Sequence, residues 1–149
     1  MSKPGFEKIG RSGTCLFGPR KLLLCGFGPE AQEKFKALLE MLGLSRLALV
    51  WLSQDQSEER IGNLVKLADG SGRAQPSNLP RAVIVSGITQ DELHQLMSGC
   101  RNAGMKQALW AALTPTSVQW PLKHLLAELA AEHRALAARQ AQDKAISKD

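Results

Sequence analysis

The sequence predicts an α/β fold: a four-stranded parallel sheet in the order 2-1-3-4 with helices on both faces. Three observations carry that reading. Short apolar runs recur along the chain without polar alternation, as strands buried on both faces of a sheet require. Stretches with apolar residues at helical spacing separate them, and a strand-helix-strand order makes neighbouring strands parallel. Glycines and prolines stand at the junctions, where turns need them.

Lys21 to Phe27 (K-L-L-L-C-G-F) is the first predicted strand, and Gly28-Pro29 turn the chain into a helix that opens on proline. Ala31, Phe35, Leu38, Leu39 and Leu42 form its apolar stripe, with Gly43 at the expected C-cap. Arg46 to Ser53 is the second strand. Glu59 to Ala68 predicts a short amphipathic helix around Ile61, Leu64 and Val65, interrupted by Gly62. Asp69 to Leu79 (D-G-S-G-R-A-Q-P-S-N-L) is rich in turn formers and predicts an exposed loop. Ala82 to Val85 is the third strand, closed by Ser86-Gly87. Thr89 and Glu92 then form a capping-box signature, and Leu93, Leu96, Met97 and Cys100 continue at helical spacing. Lys106 to Leu113 is the fourth strand, with Trp110 in the core. After the break at Thr114 to Ser117, Val118, Leu122, Leu125, Leu126 and Leu129 predict one last helix, with Pro121 in its first turn.

The length of 149 residues suits one domain with its own core. We place it at 21–136, preceded by a flexible basic arm over 1–20 and followed by an exposed helical extension or frayed tail over 137–149. The formal net charge is +5. Lys3, Lys8, Arg11, Arg20 and Lys21 stand against Glu7 alone in residues 1–21, so that stretch holds +4 and the rest of the chain +1. No apolar run approaches the roughly 20 residues of a membrane span, and the first residues lack a secretory segment. A cytoplasmic protein with no membrane partner is expected. Cys15, Cys25 and Cys100 are an odd set without a C-x-x-C pair, so neither a disulfide framework nor a zinc cluster is indicated.

The parallel order brings the loops after the first and third strands to one topological switch point, where open α/β sheets bind ligands. The candidate binding residues follow from it: Gly26, Phe27 and Gly28; Ser86, Gly87 and Thr89; and Thr114, Thr116 and Ser117 after the fourth strand. These loops offer backbone N–H groups, hydroxyls and helix N-termini, all of which favour anions. Gly26 to Ala31 (G-F-G-P-E-A) also fits the G-x-G-x-x-[G/A] dinucleotide fingerprint, with Pro29 removing one N–H and Asp55 late for a ribose contact. Cys25 has no histidine nearby in sequence, and Ser86 lacks the glycines of a nucleophile elbow. His94, His124 and His133 make no metal-binding pair.

Three stretches carry a resemblance to a known family: L-L-L-C-G-F around Cys25, P-R-A-V-I-V-S-G-I-T-Q-D-E-L around Ser86, and L-W-A-A-L-T-P-T-S-V-Q-W-P-L-K-H-L-L-A-E-L-A-A-E-H-R from Leu109. From Lys21 to Arg134 the chain resembles a family of small bacterial proteins that carries only a domain-of-unknown-function label. That resemblance implies no catalytic residue. In architecture alone the chain is also similar to the phosphopeptide-binding repeat of DNA-damage proteins, with C-G-F standing where that fold has a hydroxyl-glycine pair.

The leading expectation is a non-enzymatic domain, without cofactor or metal, that binds a protein partner or a small anionic ligand at the strand C-termini. Two others stand beside it. One is a nucleotide- or dinucleotide-dependent enzyme using the Gly26-Phe27-Gly28 turn. The other is a nucleic-acid accessory protein using the basic arm, residues 3–21.

Overall fold

The fold is that of a computed structural model, which describes residues 15–147, with side chains through residue 142. Residues 1–14 of the basic arm and 148–149 of the tail lie outside the described residues. Four strands, β1 (Lys21–Cys25), β2 (Ala48–Leu52), β3 (Ala82–Ser86) and β4 (Leu109–Ala112), form one sheet in the order β2-β1-β3-β4. Successive side chains of β1, β2 and β3 alternate between two buried layers, with the half-buried side chains of β4 at their margin. On one face Leu22, Leu24, Leu49, Trp51, Val83 and Val85 pack against α1 (Pro29–Leu42) and α3 (Gln90–Asn102). On the other, Leu23, Cys25, Val50, Leu52 and Ile84 pack against α2 (Ile61–Leu64) and the first turns of α4 (Leu122–Ser147).

Local chemistry explains the helix ends. Pro29 opens α1, where a missing N–H costs nothing. Gly43 closes it at φ 77°, and the Leu44 N–H reaches back to the Leu39 carbonyl. The Thr89 hydroxyl accepts the Glu92 N–H while the Glu92 carboxylate accepts the Thr89 N–H, the reciprocal cap that starts α3. Gly99 lets α3 approach Leu38 and Leu42 of α1, where an added Cβ would come within 3.1 Å of Leu42. Gly62 has the same role in α2, whose backbone lies against Val118. Val118 sits in a separate 3-10 turn (Ser117–Gln119), so α4 begins only after Pro121. From residue 131 onward α4 leaves the body, and its side chains through 142 are exposed. Among the described residues no helix is long and apolar enough to cross a membrane.

The sheet is mixed rather than wholly parallel, which corrects the sequence expectation. β1 pairs with β2 in parallel and β3 with β4 in parallel, but β1 and β3 run antiparallel, with Leu23 opposite Ile84 and Cys25 opposite Ala82. The cause is the segment read as an exposed loop. After α2 the chain reaches the start of β1, where Lys21 Nζ donates to the Val65 and Leu67 carbonyls. It then runs back along the outer edge of β2. Gly70 N–H donates to the Leu49 carbonyl, the Trp51 N–H to the Ser71 carbonyl, and Asp69 Oδ1 accepts from Leu49 N–H. One additional pass along the sheet delivers the chain to the end of β1 instead of its beginning, so β3 enters in the opposite direction. The same pass covers the β2 edge, which would otherwise present unpaired ladder groups.

Candidate functional site

The reversed third strand separates the residues that the sequence places together. Gly26, Phe27 and Gly28 leave β1 at one rim of the sheet, whereas Ser86, Gly87 and Thr89 leave β3 at the opposite rim. Thr114, Thr116 and Ser117 follow β4 at the β3 rim, because β3 and β4 are parallel. The shared mouth between Phe27 and Ser86 does not form.

At the β3 rim the space is filled by the chain itself. The Leu16 N–H donates to the Ile88 carbonyl and the Gly87 N–H to the Phe17 carbonyl, so residues 15–20 lie across the end of the strand. Gly18 sits so close over Ser86 that an added Cβ would come within 2.2 Å of its Oγ. That hydroxyl is buried and has no hydrogen-bond partner among the described residues. The Arg20 guanidinium holds the segment down by a two-pronged bond to the Glu92 carboxylate, with Nη1 to Oε1 at 2.7 Å. The Arg20 bond, with the Thr89 N–H bond of the cap, pulls the Glu92 carboxyl down to about 2. The Thr114 hydroxyl donates to Ser117 Oγ, and each of the two hydroxyls accepts the other residue's backbone N–H. Thr116 caps nothing.

At the β1 rim the glycine turn is tight for a packing reason. Gly26 has φ 76°, and an added Cβ would meet the Leu79 carbonyl oxygen at 2.6 Å. Its N–H is taken by Ser77 Oγ at 3.2 Å. Buried Gln32 ties this turn to the returning segment, donating to the Phe27 and Gln75 carbonyls and accepting the Ala74 N–H at 2.6 Å. Cys25, just before the turn, is fully buried, and desolvation pushes its thiol up to about 12.

Beside this turn lies a cleft of about 420 Å³, between the C-terminal half of α3, the 103–108 connection and the start of β3 and β4. Its volume falls in the range of roughly 300–1,000 Å³ usual for small-ligand sites. Phe27, Val83, Met97, Met105 and Trp110 line it with apolar surface. Arg81, Arg101 and Lys106 bring positive charge, and among the described residues no carboxylate lines it. Arg81 is the most constrained of the three. Its guanidinium lies 4.2 Å from the centroid of the Phe27 ring, and its Nε donates to the Gly26 carbonyl at 3.0 Å. Phe27 is itself held edge-on by Phe35 and Trp51, at 5.4 and 5.9 Å between centroids. Partial burial pulls the Arg81 pKa below its ordinary value, the direction expected of a cation withdrawn from water. Burial raises the neighbouring Cys100 thiol, and Arg81 partly offsets that rise. The arrangement can hold an anion against an apolar wall.

Residues 81–136 match the family model of a domain of unknown function (DUF3783). The DUF3783 match begins at Arg81, so it covers β3, α3, β4 and the packed part of α4, and with them every element of the cleft except Phe27. The L-L-L-C-G-F stretch of the sequence resemblance lies outside the match. No curated protein and no solved structure matches the chain.

Of the candidate binding residues taken from the sequence, Phe27 alone lines the cleft. Arg81, Arg101 and Lys106 were missed, since Arg81 and Lys106 stand just before strands and Arg101 in the last turn of α3, where each reads as ordinary solvated charge. Trp110, read as a core residue, is half-buried at the cleft wall. The signal that could have found the site is the placement of Arg81 and Lys106 just before two strands that prove to be parallel neighbours. Among the described residues no group of three or more His, Cys, Asp or Glu side chains gathers as a metal site.

Proposed function

We propose that the domain is a binding module for a small anionic ligand that carries an apolar group, held in the cleft beside the end of β1. The supporting observation is the lining itself: Arg81, Arg101 and Lys106, with no carboxylate among the described residues beside them, around a wall of Phe27, Met97, Met105 and Trp110. A charge-assisted hydrogen bond contributes about 1.5–3 kcal/mol, more than a neutral one, so an anionic head sets orientation while apolar contact adds affinity. With its Nε fixed on Gly26 and its Cζ over the Phe27 ring, Arg81 is ordered before a ligand arrives, which reduces the entropic cost of binding.

Titration with benzoate and hexanoate, followed by backbone amide NMR, tests this. Saturable shifts centred on Arg81, Arg101 and Trp110 are expected, and Arg81→Ala is expected to weaken binding about tenfold. Shifts that fail to saturate, or that centre on the Ser86 rim, would remove the proposal.

A further inference from the structure

The cleft opens beside a bare sheet edge. β2 has its outer edge covered by residues 69–71, but among the described residues β4 has no such cover. Leu109 N–H bonds the Arg81 carbonyl and Leu113 N–H the Val85 carbonyl, so in this parallel register the odd-numbered residues face β3. Trp110 and Ala112 therefore turn their N–H and C=O groups outward, and among the described residues no other element bonds them. The Trp110 side chain lines the cleft, so groove and edge are one surface.

We infer that the occupant is the C-terminal segment of a partner protein, added to β4 as a fifth strand with its terminal carboxylate among the cations. This deepens the binding proposal above and rests on it. Charge complementarity sets both the occupant and its direction. Arg81 directly precedes β3 and Lys106 lies just before β4, so the positive end of the groove is where β4 begins. A strand whose carboxyl end lies there must run antiparallel to β4. Its alternate side chains then enter the cleft against Met97, Met105 and Trp110, while its backbone takes the outward groups of Trp110 and Ala112. A small carboxylate satisfies the cations but leaves the edge open. A peptide satisfies both.

The test selects from a displayed hexapeptide library with free carboxyl termini, using the full chain as bait. The enriched sequence is then measured free and amidated, alongside benzoate. The expected result is enrichment of an apolar C-terminal consensus, a loss of about tenfold or more on amidation, and slowed amide exchange at Trp110 and Ala112. Ala112→Pro removes one outward donor while sparing the bonds to β3, and is expected to lose the peptide and keep benzoate. Benzoate binding with no enriched peptide, or equal binding of the amidated form, overturns the inference and leaves the cleft reading standing. Absence of both overturns the two together. Single-stranded oligonucleotides displacing benzoate where peptides do not would also overturn it.

Discussion

Ser86 carries a hydroxyl that the fold buries under Gly18 without a partner, and an unsatisfied buried polar group costs about 1–3 kcal/mol. Ser86→Ala is therefore expected to raise stability by about 1 kcal/mol in urea denaturation. A drop of that size would mean that the hydroxyl has a partner after all. Gln32 is the converse case, a buried amide with every contact in use. Gln32→Ala strands the Ala74 N–H and the Phe27 carbonyl, and is expected to cost about 2–4 kcal/mol. Neither effect is readable from the chain alone. In the sequence Ser86 reads as the start of a turn, where a hydroxyl normally finds a donor, although it is the last residue of β3, and Gln32 lies in the first turn of a helix, where glutamine is normally solvated. What distinguishes them is which distant backbone passes within reach.

Within elements, local rules held up well. The capping box at Thr89 and Glu92, proline opening α1 and Gly43 closing it are satisfied within a few residues, so tertiary context had little to overrule. Glu92 adds a long-range bond to Arg20 that no local rule supplies. Its carboxyl titrates at about 2 in the fold against an ordinary 4.5. A depressed acid stabilises the fold fully above the ordinary value and loses that contribution as pH falls through the folded one. Stability should thus decline from pH 4.5 toward 2 through this pair. Glu92→Gln, which keeps the cap geometry, is expected to flatten that acid limb in denaturation midpoints taken across the range. An unchanged acid limb would show that the Arg20 bond contributes nothing. The last helix went the other way, because one stripe from Val118 to Leu129 looks continuous while the chain breaks it at Trp120-Pro121 into a 3-10 turn and a helix.

For the whole molecule, the decisive piece is the segment that doubles back along β2. Gly72 has φ 77°, and an added Cβ would lie 2.0 Å from the Trp51 carbonyl oxygen, so no other residue fits. Gly72→Ala should lift residues 69–72 from the edge, costing about 2–4 kcal/mol from left-handed strain and lost ladder bonds. It should also expose the β2 edge to self-pairing, read as concentration-dependent size on gel filtration. A variant that stays monomeric and fully stable would show that the segment is not what closes that edge.

The chain by itself determined where the strands and main helices lie, because apolar runs, helical spacing and turn residues are local properties; the order 2-1-3-4 also agrees with the expectation, although the parallel β1–β3 pairing assumed with it does not form. It did not determine the direction of β3. An unbroken run such as Ala82-Val83-Ile84-Val85 buries both faces equally well in either direction, and direction depends on how many times the connection traverses the sheet. Only the tertiary structure decided that, through hydrogen bonds between residues 69–71 and β2. That choice moved Ser86 to the far rim and brought Arg81 onto Phe27, where charge and aromatic surface meet.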